Sequence, residues 1–227
     1  MKPSIKPSIA IALFVLLAAC KPQASAPEPG VATPPVPDAP ATPAEAAPPQ
    51  AAQVLAPPSF DCAKASDDSE KLVCSDAELS ALDRQLAAEF AKALALPDAK
   101  VDTLKAMQVG WMKGRNDCWK ADDKRVCVLE AYLTQIVQLK LDSGEVMVPT
   151  PIEYACDDNS KRFAAVFYND MDPKAAVLTW GNDQAIAFPR ISASGSRYGR
   201  DGLDFWEHQG EVKVDFYGNK LTCKVPG

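Results

Sequence analysis

The sequence predicts a multi-domain chain of α + β class: a small disulfide-clamped helical domain, then a small antiparallel β domain, carried on a disordered Pro/Ala-rich tether. Three observations predict it. Apolar residues recur at helical spacing from Phe60 to about Leu141, short β-rich runs follow from Arg162, and six of the seven cysteines lie between Cys62 and Cys223. Between the helical and β-rich stretches, Glu145 to Pro151 holds two prolines and no periodicity, which places the boundary there. The folded domains are therefore expected at residues 59–147 and 148–227.

The N-terminus reads as a targeting segment. Lys2 and Lys6 give a positive start, Ile9 to Leu17 an apolar run too short for a membrane span, and Leu17-Ala18-Ala19-Cys20 ends it. Small residues before a cysteine resemble the bacterial lipobox. That resemblance implies a lipoprotein signal peptide at residues 1–19, acylation (palmitate) of Cys20 and a membrane anchor, with more than one acyl chain needed for a stable hold. Lys21 in place of an aspartate points by the same analogy to the outer membrane, facing the periplasm. Residues 20–58 form the tether: Lys21 to Pro58 holds twelve prolines in 38 positions, and such a stretch buries too little apolar surface to fold. Its upper reach is on the order of 100 Å.

In the helical region Ser75 and Glu78 have the form of a capping box, and Leu79, Leu82, Leu86, Phe90 and Leu94 follow until Pro97. A second helix is expected from Lys100 to Lys113 and a third from Val126 to Leu141, joined by short connections as an antiparallel hairpin or bundle. Trp111 and Trp119 are expected in the core, with Asp83 and Arg84 on a solvated face. In the β region the expected strands are Arg162–Tyr168, Ala175–Trp180, Ala185–Phe188, Leu203–Glu207, Glu211–Phe216 and Lys220–Val225, with Gly218-Asn219 as a tight hairpin turn. So many short strands suggest a small barrel or sandwich. Along one of them Trp206 and His208 share the face opposite Leu203 and Phe205.

With Cys20 set aside, an even set of cysteines in an exported chain argues for disulfides, and local grouping makes Cys62 with Cys74, Cys118 with Cys127 and Cys156 with Cys223 the economical pairing. No Cys-x-x-Cys spacing appears, so neither a metal nor another cofactor is expected. The formal charge is -6. An acidic balance disfavours nucleic acid and suits a basic protein partner through long-range steering. Oligomeric state is not legible.

The richest stretch for function runs from Ser192 to Gly210. A small-residue loop, Ser192-Ala193-Ser194-Gly195-Ser196-Arg197-Tyr198, precedes Asp204-Phe205-Trp206-Glu207-His208-Gln209-Gly210, which carries the only histidine. Stiff aromatic surface beside hydroxyls and an imidazole suits recognition better than catalysis. This Ser-Gly-x-x-Tyr loop, the Phe-Trp and the flanking cysteines resemble the membrane-bound inhibitor of c-type lysozyme family over about Ile152 to Val225. The resemblance implies an eight-stranded barrel that plugs the lysozyme cleft, with Ser194, Gly195, Tyr198, Trp206 and His208 as binding residues. Lysozyme cleaves with a protonated and an ionised carboxyl group, and the resembled family offers these a serine and a lysine. Ser194 matches the serine. The lysine position falls on His208, or on Gln209 after a one-residue shift. Histidine changes charge around neutrality, so His208 there predicts inhibition that weakens between about pH 5.5 and about pH 8.

The helical region resembles the N-terminal domain of LprI-type lysozyme inhibitors through Asp61-Cys62, Glu70 to Cys74, Leu79-x-x-Leu82-Asp83, Gln108-x-x-Trp111, Arg115-x-x-Cys118, Cys127 and Tyr132. It departs at Gly114 and Thr134. The expected function is thus that of a lipid-anchored inhibitor of c-type lysozyme that protects peptidoglycan, and not of an enzyme. Two alternatives stand beside it, a structural or adaptor lipoprotein of the envelope and a cell-wall hydrolase.

Overall fold

The computed structural model describes residues 56–225. The expectations for the signal peptide, for Cys20 and for most of the tether lie outside the described residues. Four helices come first, α1 (Asp68–Ser75), α2 (Ala77–Ala95), α3 (Val101–Asn116) and α4 (Lys124–Asp142). Eight strands follow, β1 (Ile152–Cys156), β2 (Phe163–Tyr168), β3 (Ala175–Trp180), β4 (Asp183–Pro189), β5 (Ser196–Arg200), β6 (Leu203–His208), β7 (Glu211–Phe216) and β8 (Asn219–Lys224). None of the described helices is long and apolar enough to cross a membrane.

Aspartates start three of the helices. Asp67 accepts from the Glu70 N–H, Asp76 from those of Glu78 and Leu79, and Asp123 from that of Val126, satisfying donors that have no partner within the helix. The cap of α2 is thus Asp76, one residue beyond the expected Ser75. Ser75 ends α1, and its hydroxyl donates to the Leu72 carbonyl. The helical core gathers Val73, Leu79, Leu86, Val128, Tyr132 and Ile136.

A buried polar network threads this core. Arg115, 5% exposed, donates to the Tyr132 hydroxyl at 3.0 Å, and that hydroxyl donates to Asp83 at 2.9 Å. The other Asp83 oxygen accepts from the N–H and hydroxyl of Ser59, both at 2.6 Å. Burial pushes the Tyr132 phenol well above its ordinary range, so it stays protonated and donates. Asp83 is therefore buried and paired, not solvated as expected; its partner lies 49 residues away, out of reach of any local pattern. Arg84 is exposed and donates to the Ala56 and Pro57 carbonyls. Trp111 is half-buried, its indole N–H given to the Ala131 carbonyl. Trp119 corrects its expectation: it is 57% exposed on a short 3-10 turn, with Lys120 over its ring.

The strands form a closed up-and-down barrel in which each pairs antiparallel with its neighbours and β8 returns to β1. Side chains alternate as the pleat requires, sending Phe163, Leu178, Phe205, Val212, Val214 and Leu221 inward. The β7–β8 turn is Tyr217-Gly218, at φ 51° and 89°, not the expected Gly218-Asn219. Positive φ at both central positions is the mark of a type I′ hairpin turn, and Asn219 already pairs with Phe216.

The three disulfides pair Cys62 with Cys74, Cys118 with Cys127 and Cys156 with Cys223. Chain-entropy arguments put the two short loops at roughly 3 kcal/mol each and the long one at roughly 4 kcal/mol. The last clamps a thin seam, because β1 and β8 share only two register pairs, one of them Cys156 with Cys223. A third apolar cluster packs α4 onto the barrel wall: Val137, with Leu133 and Leu141, meets Tyr168, Met171, Ala175, Ile186 and Phe188. Strand β4 is consequently buried on both faces, Ala185 and Ala187 inside the barrel and Ile186 and Phe188 beneath α4.

Candidate functional site

The β4–β5 loop, the β6–β7 turn and the β2–β3 loop meet at one end of the barrel, as the up-and-down order dictates. The β4–β5 loop holds Ser192 to Gly195, and its shape is over-determined by four contacts. The Ser192 hydroxyl donates to the Ser194 carbonyl at 2.6 Å, and the Trp206 indole N–H donates to the same oxygen at 3.0 Å. At its base the Arg190 N–H donates to the Arg197 carbonyl at 2.8 Å. Gly195 sits at φ +71° against β6, where an added Cβ would fall 2.0 Å from the Glu207 carbonyl oxygen, so only glycine closes the loop here.

Register explains the partnership of loop and strand. Ser196 pairs with Glu207 and Arg197 with Trp206, so the loop that precedes β5 lands beside the end of β6. Phe205 points inward and is 1% exposed, which turns Trp206 and His208 outward. Their rings stack at 5.5 Å with a 5° interplanar angle. Across the ladder Lys213 pairs with Trp206 and holds its ammonium 5.8 Å from the indole ring, within cation–π range. The Ser194 side chain is exposed, and its hydroxyl has no hydrogen-bond partner among the described residues.

Of the residues read from sequence, Ser194, Gly195, Trp206 and His208 come together on this surface. Tyr198 lies close by in a different part. It belongs to β5, packs inward on Phe167 at 5.1 Å and donates its hydroxyl to Asn169 on the β2–β3 loop at 2.8 Å. Burial raises its phenol, which stays a donor. Tyr198 therefore braces two loops from beneath, and Trp206 is the residue that holds Ser194. Gln209 heads the exposed β6–β7 turn in the left-handed region, φ 53°, and makes no side-chain hydrogen bond with the loop among the described residues.

Beneath the site Tyr154 packs on Phe205, its phenol pushed up to about 12 by burial and next by the charge of Glu207. The arrangement offers outward donors and a flat aromatic surface on a stiff base. Among the described residues no hydrogen bond links Ser194 Oγ to His208, so the pair lacks the nucleophile–base contact of a hydrolytic site. Nor do the described residues gather three or more metal-binding side chains.

Sequence reasoning missed Glu130 and Arg190. Glu130, on α4, is buried and takes Arg190 at the foot of the loop as its ion-pair partner. Thr134, a departure from the resembled pattern, accepts from Arg200 of β5 at 3.1 Å. A threonine there gives a barrel arginine an acceptor that a basic residue would deny it.

The family model described as membrane-bound lysozyme-inhibitor of c-type lysozyme matches residues 154–222, which is the barrel from within β1 to within β8. Beyond the barrel, the chain is 41% identical over 170 residues to the lipoprotein LprI of Mycobacterium bovis, covering 75% of this chain and 85% of that protein. The LprI lipoproteins of two Mycobacterium tuberculosis strains, CDC 1551 and H37Rv, match to the same extent. No solved structure matches the chain significantly. A likeness that runs through the helices and the barrel alike places this chain in the LprI lipoprotein family.

Proposed function

We propose that this protein is a lipid-anchored inhibitor of c-type lysozyme that inserts the Ser192–Gly195 loop into the enzyme's active-site cleft and so protects peptidoglycan. The observation that carries the reading is the Ser194 turn: an exposed hydroxyl without a partner among the described residues, on a loop whose backbone is fixed by Ser192, Trp206 and the close approach of Gly195 to β6. Such a turn presents a donor to a carboxyl group with little ordering left to do on binding. The stacking of His208 on Trp206 supports its assignment as the second donor in preference to Gln209, which sits exposed in the hairpin turn. As imidazolium it donates to a carboxylate as lysine would. The acidic composition favours encounter with a basic enzyme.

On this reading residues 1–19 are a lipoprotein signal, Cys20 carries the anchor and residues 20–58 hold the folded part away from the outer membrane within the periplasm. Residues 59–147 and 148–227 are then the helical domain and the inhibitory barrel. Titration of hen egg-white lysozyme against the full chain and its Ser194→Ala variant tests the reading. The wild type should inhibit stoichiometrically, and the variant should lose at least about tenfold in affinity, the cost of a hydrogen bond to a charged group. Equal inhibition by both would remove Ser194 from the mechanism, and no inhibition by either would remove the function.

A further inference from the structure

We propose that Glu130 is a positioning residue for the Ser192–Gly195 loop, which makes the helical domain a working part of the inhibitor and not a spacer; this rests on the inhibitory reading above. The inference starts from the ladder. Strand β5 pairs with β6 over five residues, from Ser196 with Glu207 to Arg200 with Leu203. Against β4 it has only Phe188 with Gly199 and Pro189 with Tyr198. Proline has no N–H to give, so the foot of the loop hangs from a thin seam whose last backbone bond is Arg190 to Arg197.

Helix α4 crosses this seam and supplies what the ladder lacks. One Glu130 oxygen accepts from the Arg190 guanidinium, and the other accepts from the Asp201 N–H at 3.0 Å. Arg190 stands immediately before the loop, and Asp201 immediately after β5. A single carboxylate therefore fixes both ends of the segment that carries Ser194. It is well placed to do so rigidly, because its side chain is 8% exposed and both its oxygens are used. One turn further along α4, Thr134 takes Arg200, while Val137 packs among Ile186 and Phe188 of β4. Arg197 of β5 is held by Asp204 within the barrel at 2.8 Å.

A loop that acts as a stiff wedge loses affinity when its foot is freed, since ordering it is then charged to binding. The test uses the full chain and compares wild type, Glu130→Gln, Ser194→Ala and the double variant by inhibition constant against hen egg-white lysozyme. Amide hydrogen exchange at Arg190 and Asp201 is followed in parallel. Glu130→Gln should raise the inhibition constant on the order of tenfold and speed exchange at both amides. The double variant should inhibit no worse than Ser194→Ala alone, because both changes act through one loop. Unchanged inhibition and exchange in Glu130→Gln would overturn the proposal, as would losses that simply multiply in the double variant. Should Glu130→Gln fail to fold, Arg190→Gln, at a side chain 39% exposed, is read by the same measurements. If the wild type itself leaves lysozyme active, the inhibitory reading fails, and the exchange rates still decide whether Glu130 fixes the loop.

Discussion

The helical motif residues Asp83, Trp111, Arg115 and Tyr132 are buried or half-buried and bonded to one another or to nearby backbone, whereas the barrel motif residues Ser194, Gly195, Trp206 and His208 line an outer surface. The two motifs look alike in sequence, each a spaced set of polar and aromatic residues. Their environments separate their roles. Buried polar groups persist only when fully satisfied, so the helical set specifies one packing of a thin core. In the barrel, backbone restraint is lavished on a loop that buries little, and a stiff exposed turn stabilises a partner's complex more than its own fold. On the proposed function, the first motif is a device of folding and the second of recognition.

Arg115→Met should break this comparison most forcefully on the helical side. It strips the guanidinium from the Tyr132 hydroxyl, from Asn116 and from Glu70, whose carboxylate lies 3.7 Å away. Leaving the Tyr132 hydroxyl and the Asn116 oxygen without this donor costs about 1–3 kcal/mol each, measurable by urea denaturation. The fraction that remains folded should keep its lysozyme affinity. A loss below about 1 kcal/mol would mean that the network is incidental to stability. On the barrel side, Gly195→Ala should show the reverse pattern. The left-handed backbone and the clash with the Glu207 carbonyl should cost about 1–3 kcal/mol, yet abolish inhibition, because the loop has to move to accept the methyl group. Retained inhibition would show that the loop's shape is not what lysozyme reads.

How much of this was legible follows from distance along the chain. Helix α2 could be read from Leu79 and Leu86, buried on one face at helical spacing, and strand β7 from its alternation, whereas the closed barrel came only through the family resemblance. Helix α1 could not, since eight residues with Ser69 and Val73 as the buried pair give no periodic signal. Ser196 to Arg200 looked like loop because small and charged residues fill it. It is a strand through its ladder to β6, a tertiary cause. The proximity of Ser194 to Trp206 was legible in outline, but not the bond that joins them, which depends on the β5–β6 register. Glu130 was invisible, because a glutamate on a helix reads as solvated until its partner, 60 residues away, is known.

The smallest expected effect sharpens the helical side through pH. Asp76 caps α2 and holds Arg125 at 2.7 Å, and that bond, with help from the capped N–H groups, lowers its carboxyl below the ordinary value. A carboxyl lowered in the folded state contributes stability that is complete above its unfolded pKa, near 3.9, and fades as the pH falls through the folded value. Asparagine caps a helix about as well as aspartate, so Asp76→Asn isolates the charge from the cap. The variant should lose less than about 1 kcal/mol at pH 7, and the difference from wild type should shrink below about pH 4. Asp76→Ala, which removes the cap too, should cost about 1 kcal/mol more at every pH. Lysozyme inhibition at neutral pH should be untouched by either change, since Asp76 stabilises a helix of the folding motif and makes no contact with the Ser194 loop.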